Sequence, residues 1–157
     1  MTSSLGSNKE SLPSVGDKVT GMVEADWSLH PQLAADTVPV CDLALSRLLA
    51  MNDANFPWLI LVPRRAGVSE IIDLGAEQSV LMDELSLVSR ALKDATRCDK
   101  LNVAAIGNMV PQLHVHIVAR RKDDPVWPKP VWGALPRRDY AADALERFVD
   151  AIRGRVL

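Results

Sequence analysis

The sequence predicts an α+β fold: a roughly five-stranded antiparallel sheet with one long helix and a C-terminal helix. Three stretches carry that reading. Within Gln112 to Val118, polar and apolar residues alternate without a break as far as Ile117, the period of two that marks a strand. Phe56 to Pro63 is a continuous apolar run punctuated by prolines, as expected of a strand buried on both faces. Leu81, Leu85, Val88 and Leu92 recur at the spacing of a single helical stripe within residues 76–97. Strands gathered into one antiparallel set, with helices packed on one side, make an α+β layer.

In chain order, residues 1–20 are expected to form a flexible arm, and residues 21–157 a single domain with its core over 38–133 and a C-terminal helix over 139–154. Trp27, Leu29 and Leu33 can pack onto that domain, and His30-Pro31 reads as a turn or extended piece. His30 is a loop residue or sits at the mouth of a site. Val38-Pro39-Val40-Cys41 and Leu48-Leu49-Ala50-Met51 read as two strands of a meander, joined near Asp42 to Arg47. Asn52 to Asn55 is a turn cluster before the apolar run. Arg64 to Gly67 then leave the sheet. On the long helix, Asp83, Glu84, Lys93 and Asp94 fall off the apolar stripe. Leu101 to Ile106 is another strand, paired with Gln112 to Val118 as a hairpin across Gly107 to Pro111. Pro125, Pro128, Pro130 and Pro136 interleave with Trp127 and Trp132, so this part is a loop laid over the surface. Asp139 reads as the N-cap of the last helix, with Leu145, Phe148, Val149 and Ile152 on its apolar face.

A chain of 157 residues can bury a proper core, and 48% apolar with 24% charged residues is ordinary for a soluble globular protein. The net charge of −2 gives no general attraction to nucleic acid or acidic membranes. Neither is expected as a partner, and an anion site would have to be built from local groups. No apolar run reaches transmembrane length, and residues 1–20 lack the apolar segment of a signal peptide, so a cytoplasmic protein is expected. Cys41 and Cys98 lie far apart at no metal or redox spacing, and read as free thiols.

The chemistry is concentrated in the alternating strand. Gln112, His114 and His116 share one face, while Leu113, Val115 and Ile117 take the other. Neutral imidazole is abundant at pH 7, so a histidine here suits attack on phosphorus through a covalent phosphoramidate-type intermediate. A neighbouring imidazole can donate to a phosphate oxygen. His-x-His also suits a metal, but the chain's third histidine is His30, and no Cys or Glu stands at ligand spacing near the strand. Arg64, Arg65, Arg120 and Arg121 can attract phosphate but read as solvated surface charges.

Gln112-Leu113-His114-Val115-His116-Ile117-Val118 resembles the signature of the histidine triad (HIT) family, His-φ-His-φ-His-φ-φ with φ apolar, with Gln112 in the place of the first histidine. The strand from Leu48 to Asp53 and the run from Pro57 to Arg65 resemble the family's two strands before its long helix, and the likeness extends over about Val38 to Gly133. The resemblance implies a HIT-like α+β fold, a homodimer, and hydrolase or nucleotidyl transferase activity at a nucleotide α-phosphate. The substrate would be of the dinucleoside polyphosphate or nucleoside phosphoramidate type. It implies His114 as nucleophile, with its other ring nitrogen held by a backbone carbonyl, and His116 and Gln112 on phosphate. It further implies Asn52 or Asp53 on the ribose, Asn108 near the phosphates, and Trp127 in a loop that helps build the site. Asn52 to Asn55 also reads as a plain hairpin turn, Asn108 as a turn residue and Trp127 as packing. No cofactor is required by this chemistry, although a divalent cation can accompany a polyphosphate. Glutamine hydrogen-bonds but does not titrate near neutrality. Met109 also stands where better-known members have a hydroxyl donor to the leaving group. These departures give an alternative: a catalytically weak or inactive nucleotide-binding or signalling module on the same fold.

Overall fold

The computed structural model describes residues 26–157; the arm expected over 1–20 lies outside the described residues. The proline-punctuated run forms β3, Trp58–Pro63, with every residue buried. The remaining strands are β1 (Thr37–Asp42), β2 (Ser46–Met51), β4 (Lys100–Ala104) and β5 (Val115–Arg120). They form one antiparallel sheet in the order β1-β2-β3-β5-β4, so β3 is its centre. A central strand covered on both sides has no exposed face on which to place polar residues, which explains its unbroken apolar sequence.

Alternation sorts the strands' side chains onto two faces. On one, Leu48, Ala50, Leu59, Leu61, Val115 and Ile117 pack beneath α2 (Gln78–Thr96) and α3 (Ala144–Val156), meeting Leu81, Val88, Leu92, Val149 and Ile152. On the other, Leu49, Trp58, Ile60, Val62 and Val118 are covered by loop and terminal residues, among them Leu33, Phe56, Val126 and Val131. Trp27 and Leu29 pack against this second cluster, as their apolar character suggests.

Several boundaries differ from the sequence reading. His30-Pro31 does not stay extended. It opens a short helix, α1 (Pro31–Asp36), with proline in its first turn and the His30 Nδ1 accepting from the Gln32 N–H at 3.1 Å. Proline suits that position because the first helical N–H groups have no partner within the helix. A 3-10 segment, Ile71–Glu77, leads into α2 and contains Gly75 at φ 54°. The histidine strand begins at Val115 rather than Gln112, because the Leu113 N–H bonds to the Val68 carbonyl and not to a neighbouring strand. The last helix starts at Ala144, and Asp139 is not its N-cap; that position belongs to Asp143. Backbone and side chain of Arg138 are bonded to Asp53 and Ala54, which holds the chain against the β2–β3 turn ahead of the helix.

Three of the charges also fall elsewhere. Glu84 is not on the solvated side of α2. It is buried, and its carboxylate accepts the N–H groups of Leu45 at 2.6 Å and Ser46 at 3.1 Å. Arg64 is buried rather than solvated, and bonds to the carbonyls of Leu43, Ala44 and Leu45 and to Asp42. Together these two residues clamp the β1–β2 turn from both sides of its peptide units. Arg120 is 1% exposed, paired with Asp124 at 2.8 Å and Asn102 at 2.8 Å, and lies between the rings of Phe56 and Trp127. Arg65 pairs with Glu77, and Arg121 alone of the four stays at the exposed surface, beside Asp123.

Candidate active site

The two strand histidines lie on the face away from α2 and α3. His114 is the last residue before β5, and His116 lies within it, opposite Ile60 of β3 and Ala104 of β4. Both are buried, so this face is not the open polar surface that its alternation suggested. Their ring centroids are 4.9 Å apart.

Each ring is held by a different kind of partner. The His114 Nδ1 lies 2.6 Å from the backbone oxygen of Gln112. A carbonyl only accepts, so Nδ1 carries the proton and Nε2 keeps its lone pair. That nitrogen has no protein partner among the described residues and is chemically a nucleophile. The His116 Nδ1 accepts from the Trp58 indole N–H at 2.9 Å. Trp132 stands edge-on to His116, with centroids 5.6 Å apart, and Trp58 stands edge-on to both. Burial, with His114 beside it, pushes the His116 pKa down to about 4, so its ring is neutral at pH 7.

Gln112 is spatially adjacent but otherwise engaged. Its Oε1 accepts the His30 N–H at 2.9 Å and its Nε2 donates to the Ser28 carbonyl at 2.8 Å. The amide expected on phosphate thus ties the segment before α1 to the histidine segment. Asn108 lies on the rim of a slot of about 160 Å³ that His114, His116, Ile106, Met109 and Trp132 also line. His114 also lines a second cleft, with Ser69, Glu70, Gly107 and Pro111.

The remaining candidates are not drawn to the histidines. Asp53 closes its own turn, its Oδ1 accepting from the Asn55 backbone at 3.0 Å, the Asn55 amide at 2.8 Å and the Arg138 backbone at 3.2 Å. Asn52 lines a cavity of about 590 Å³ with Tyr140, Asp139, Leu145 and Val149, which no histidine lines. Trp127 lies over Arg120. The aromatic residues that do touch His116 are Trp58 and Trp132. In the sequence Trp58 stands only as one residue of the buried apolar run. Its place beside His116 depends on the β3–β5 register, in which Trp58 pairs with Val118 and Ile60 with His116. Trp132 was visible as an aromatic in the proline-rich loop, but the loop's path decides which indole arrives.

Among the described residues no group of three or more His, Cys, Asp and Glu side chains is placed to hold a metal ion. Among them, too, no helix is long and apolar enough to cross a membrane.

Residues 32–123 match the HIT domain family. The crystal structure of a histidine triad protein from Bradyrhizobium japonicum is 54% identical, with a TM-score of 0.82, over 83% of this chain and 98% of that one. A histidine triad protein from Marinobacter aquaeolei VT8 is 42% identical, with a TM-score of 0.80, over 83% and 96% of the two chains. One from Sinorhizobium meliloti 1021 is 40% identical, with a TM-score of 0.80, over 83% and 97%. No curated protein matches the chain.

Proposed function

The chain belongs to the HIT domain family, whose members are generally nucleotide-binding hydrolases and transferases, and we propose that it cleaves or transfers at a nucleotide α-phosphate with His114 as nucleophile. The observation that carries this reading is the 2.6 Å contact of the His114 Nδ1 with the Gln112 carbonyl, which leaves an unprotonated Nε2 available for attack. The Nε2 attacks phosphorus, the leaving group departs with its bonding pair, and a nucleoside monophosphate remains on His114. Water or another acceptor then displaces it, returning the P–N electron pair to the ring. His116 supplies a hydrogen bond to a phosphate oxygen. Asn108, on the rim of the slot, is suited to the same anion.

Neither candidate is given the ribose in this reading, since the Asp53 carboxylate already serves its turn and Asn52 lines a cavity that no histidine lines. Trp127 and Gln112 act through packing and tethering. No cofactor is needed; a divalent ion can accompany a polyphosphate. We propose a homodimer as well. The edge strand β4 carries the exposed Val103, and Ile71 and Met82 are exposed on neighbouring elements, which together with Val103 line one apolar groove.

The Gln112 tether favours a second reading, a binding module with little or no turnover, because the first triad position is occupied by a non-titrating and already bonded side chain. Rapid acid-free quenching with diadenosine polyphosphates and adenosine phosphoramidate, read by intact mass, separates the two. An adduct of one nucleoside monophosphate that is absent in His114→Ala is expected. Saturable nucleotide binding with no adduct and no turnover would select the binding module.

A further inference from the structure

We infer that Trp58 is a positioning residue that fixes His116 as a neutral donor with its proton on Nε2, so that the site transfers nucleotides from leaving groups that depart unprotonated. An indole N–H can only donate. At 2.9 Å from the His116 Nδ1, it requires a lone pair there. A neutral His116 therefore carries its single proton on Nε2, the opposite tautomer to His114, and a doubly protonated His116 would set two N–H groups against each other. The rings packed on His116 are Trp58, Trp132 and His114, and of these only His114 titrates. A protonated His114 would repel a proton from its neighbour, so it reinforces the neutral state. Burial acts in the same direction, and the depressed pKa agrees with the geometry.

The consequence for substrate class rests on the hydrolase reading above. With His116 limited to a hydrogen bond, the slot that it shares with His114 offers a leaving group no other titrating side chain: Ile106, Asn108, Met109, Val110 and Trp132 have no proton to give near neutrality. Gln112 cannot titrate and is tethered. A phosphoanhydride suits such a site. The P–O bond breaks, the oxygen leaves with the electron pair as a stable anion, and the Nε2–P bond forms while the proton stays on the His114 Nδ1, hydrogen-bonded to the Gln112 carbonyl. In the second step water forms a new P–O bond, the P–N pair returns to Nε2, and the water's proton passes to solvent. A phosphoramidate of a basic amine does not suit it, because that nitrogen must gain a proton before the P–N bond breaks.

The tautomer is tested on the wild-type protein by ¹⁵N NMR of the imidazoles between pH 5 and 8. A His116 signature of protonated Nε2 and bare Nδ1 throughout is expected. A protonated Nδ1, or a charged ring at pH 7, would overturn the inference. The chemical consequence is tested with adenosine 5′-phosphate esters of phenols of graded acidity and with an amine phosphoramidate, in wild type and Trp58→Phe. Wild type should strongly favour acidic phenols over the amine. Trp58→Phe, which removes the N–H facing Nδ1 but not the burial of the ring, should narrow that preference several-fold. An unchanged preference in a folded Trp58→Phe would remove Trp58 from the specificity argument. Absence of turnover with every ester would instead strike the hydrolase reading, while the spectra still decide the tautomer.

Discussion

The two faces of this sheet are made by alternate residues of the same strands, yet they are closed in different ways. Beneath α2 and α3, Leu59, Leu61, Val115 and Ile117 meet only apolar partners such as Val88, Leu92 and Ile152. On the opposite face, Trp58, Ile60 and Val118 share their layer with His114 and His116, and the cover is made of loops and the segment around α1. On the loop-covered face, clefts open beside the imidazoles. The buried surroundings of the second face also hold His116 neutral at pH 7. The contrast predicts that substitutions on the helix face change stability alone, while those on the loop face change chemistry, stability or both.

The sharpest break should come at the nucleophile. His114→Ala removes the group proposed to bond to phosphorus, and turnover should fall on the order of a thousand-fold or more. The denaturation midpoint should move little, because only one hydrogen bond, to Gln112, is lost with the ring. An undiminished rate in the folded variant would end the covalent reading.

Arg120 tests the stability of the same face. Its guanidinium is 1% exposed and faces Asp124, whose carboxyl it helps to hold below the usual range. Arg120→Ala leaves that carboxylate without its partner and opens the space between Phe56 and Trp127. A loss of about 3–5 kcal/mol is expected in urea denaturation. Leu92→Ala is the counterpart across the sheet. Leu92 is fully buried under the helix-covered face, and its truncation should cost about 2–5 kcal/mol. Its kcat should stay near that of wild type. A large fall in kcat for a folded Leu92→Ala would mean that the two faces are not independent.

Titration separates the faces without mutation. His116 has a folded-state pKa of about 4 against 6.5 for an unperturbed histidine, so the unfolded chain takes its proton first as the pH falls. Its contribution is complete above pH 6.5 and is lost on the way down to pH 4. Together these values imply about 3 kcal/mol. Urea midpoints measured across this window should fall more steeply in wild type than in His116→Gln; parallel curves would contradict it. The carboxyls of Asp42 and Asp124 are lowered as well and act at still lower pH.

How much of this was legible in the sequence follows the same division. The helix face is written in single-residue periodicities: the stripe through Leu81, Val88 and Leu92, and the alternation that sends Val115 and Ile117 inward. His114 and His116 announced themselves by that alternation too. Their surroundings did not, because they depend on which remote segments arrive. Trp58 reaches His116 through strand register, Trp132 through a loop path, and Ser28 with His30 through hydrogen bonds to Gln112. The burial of Arg64, Glu84 and Arg120 is not legible in the sequence for a related reason. A charged residue looks the same in sequence whether water or a set of peptide groups satisfies it, and here turns and a carboxylate do so.

Gln112 offers the finest test of the comparison, since it joins the histidine segment to the cover of its own face. Its amide is the only side chain bonded to both Ser28 and His30 among the described residues. These bonds hold the entry to α1, which carries Leu33 into the second apolar cluster. Gln112→Ala leaves the His30 N–H and the Ser28 carbonyl to water, and the partly exposed setting keeps the penalty small. A loss of about 1 kcal/mol is expected, read as a shift in the urea midpoint. Amide exchange at His30 should quicken by more than at β3, because the tether is local and the central strand is held from both sides. Turnover should survive, because the backbone carbonyl that orients His114 is unchanged by the side chain. If Gln112→Ala instead abolished turnover while leaving His30 protected, the glutamine would belong to the phosphate site and not to the cover.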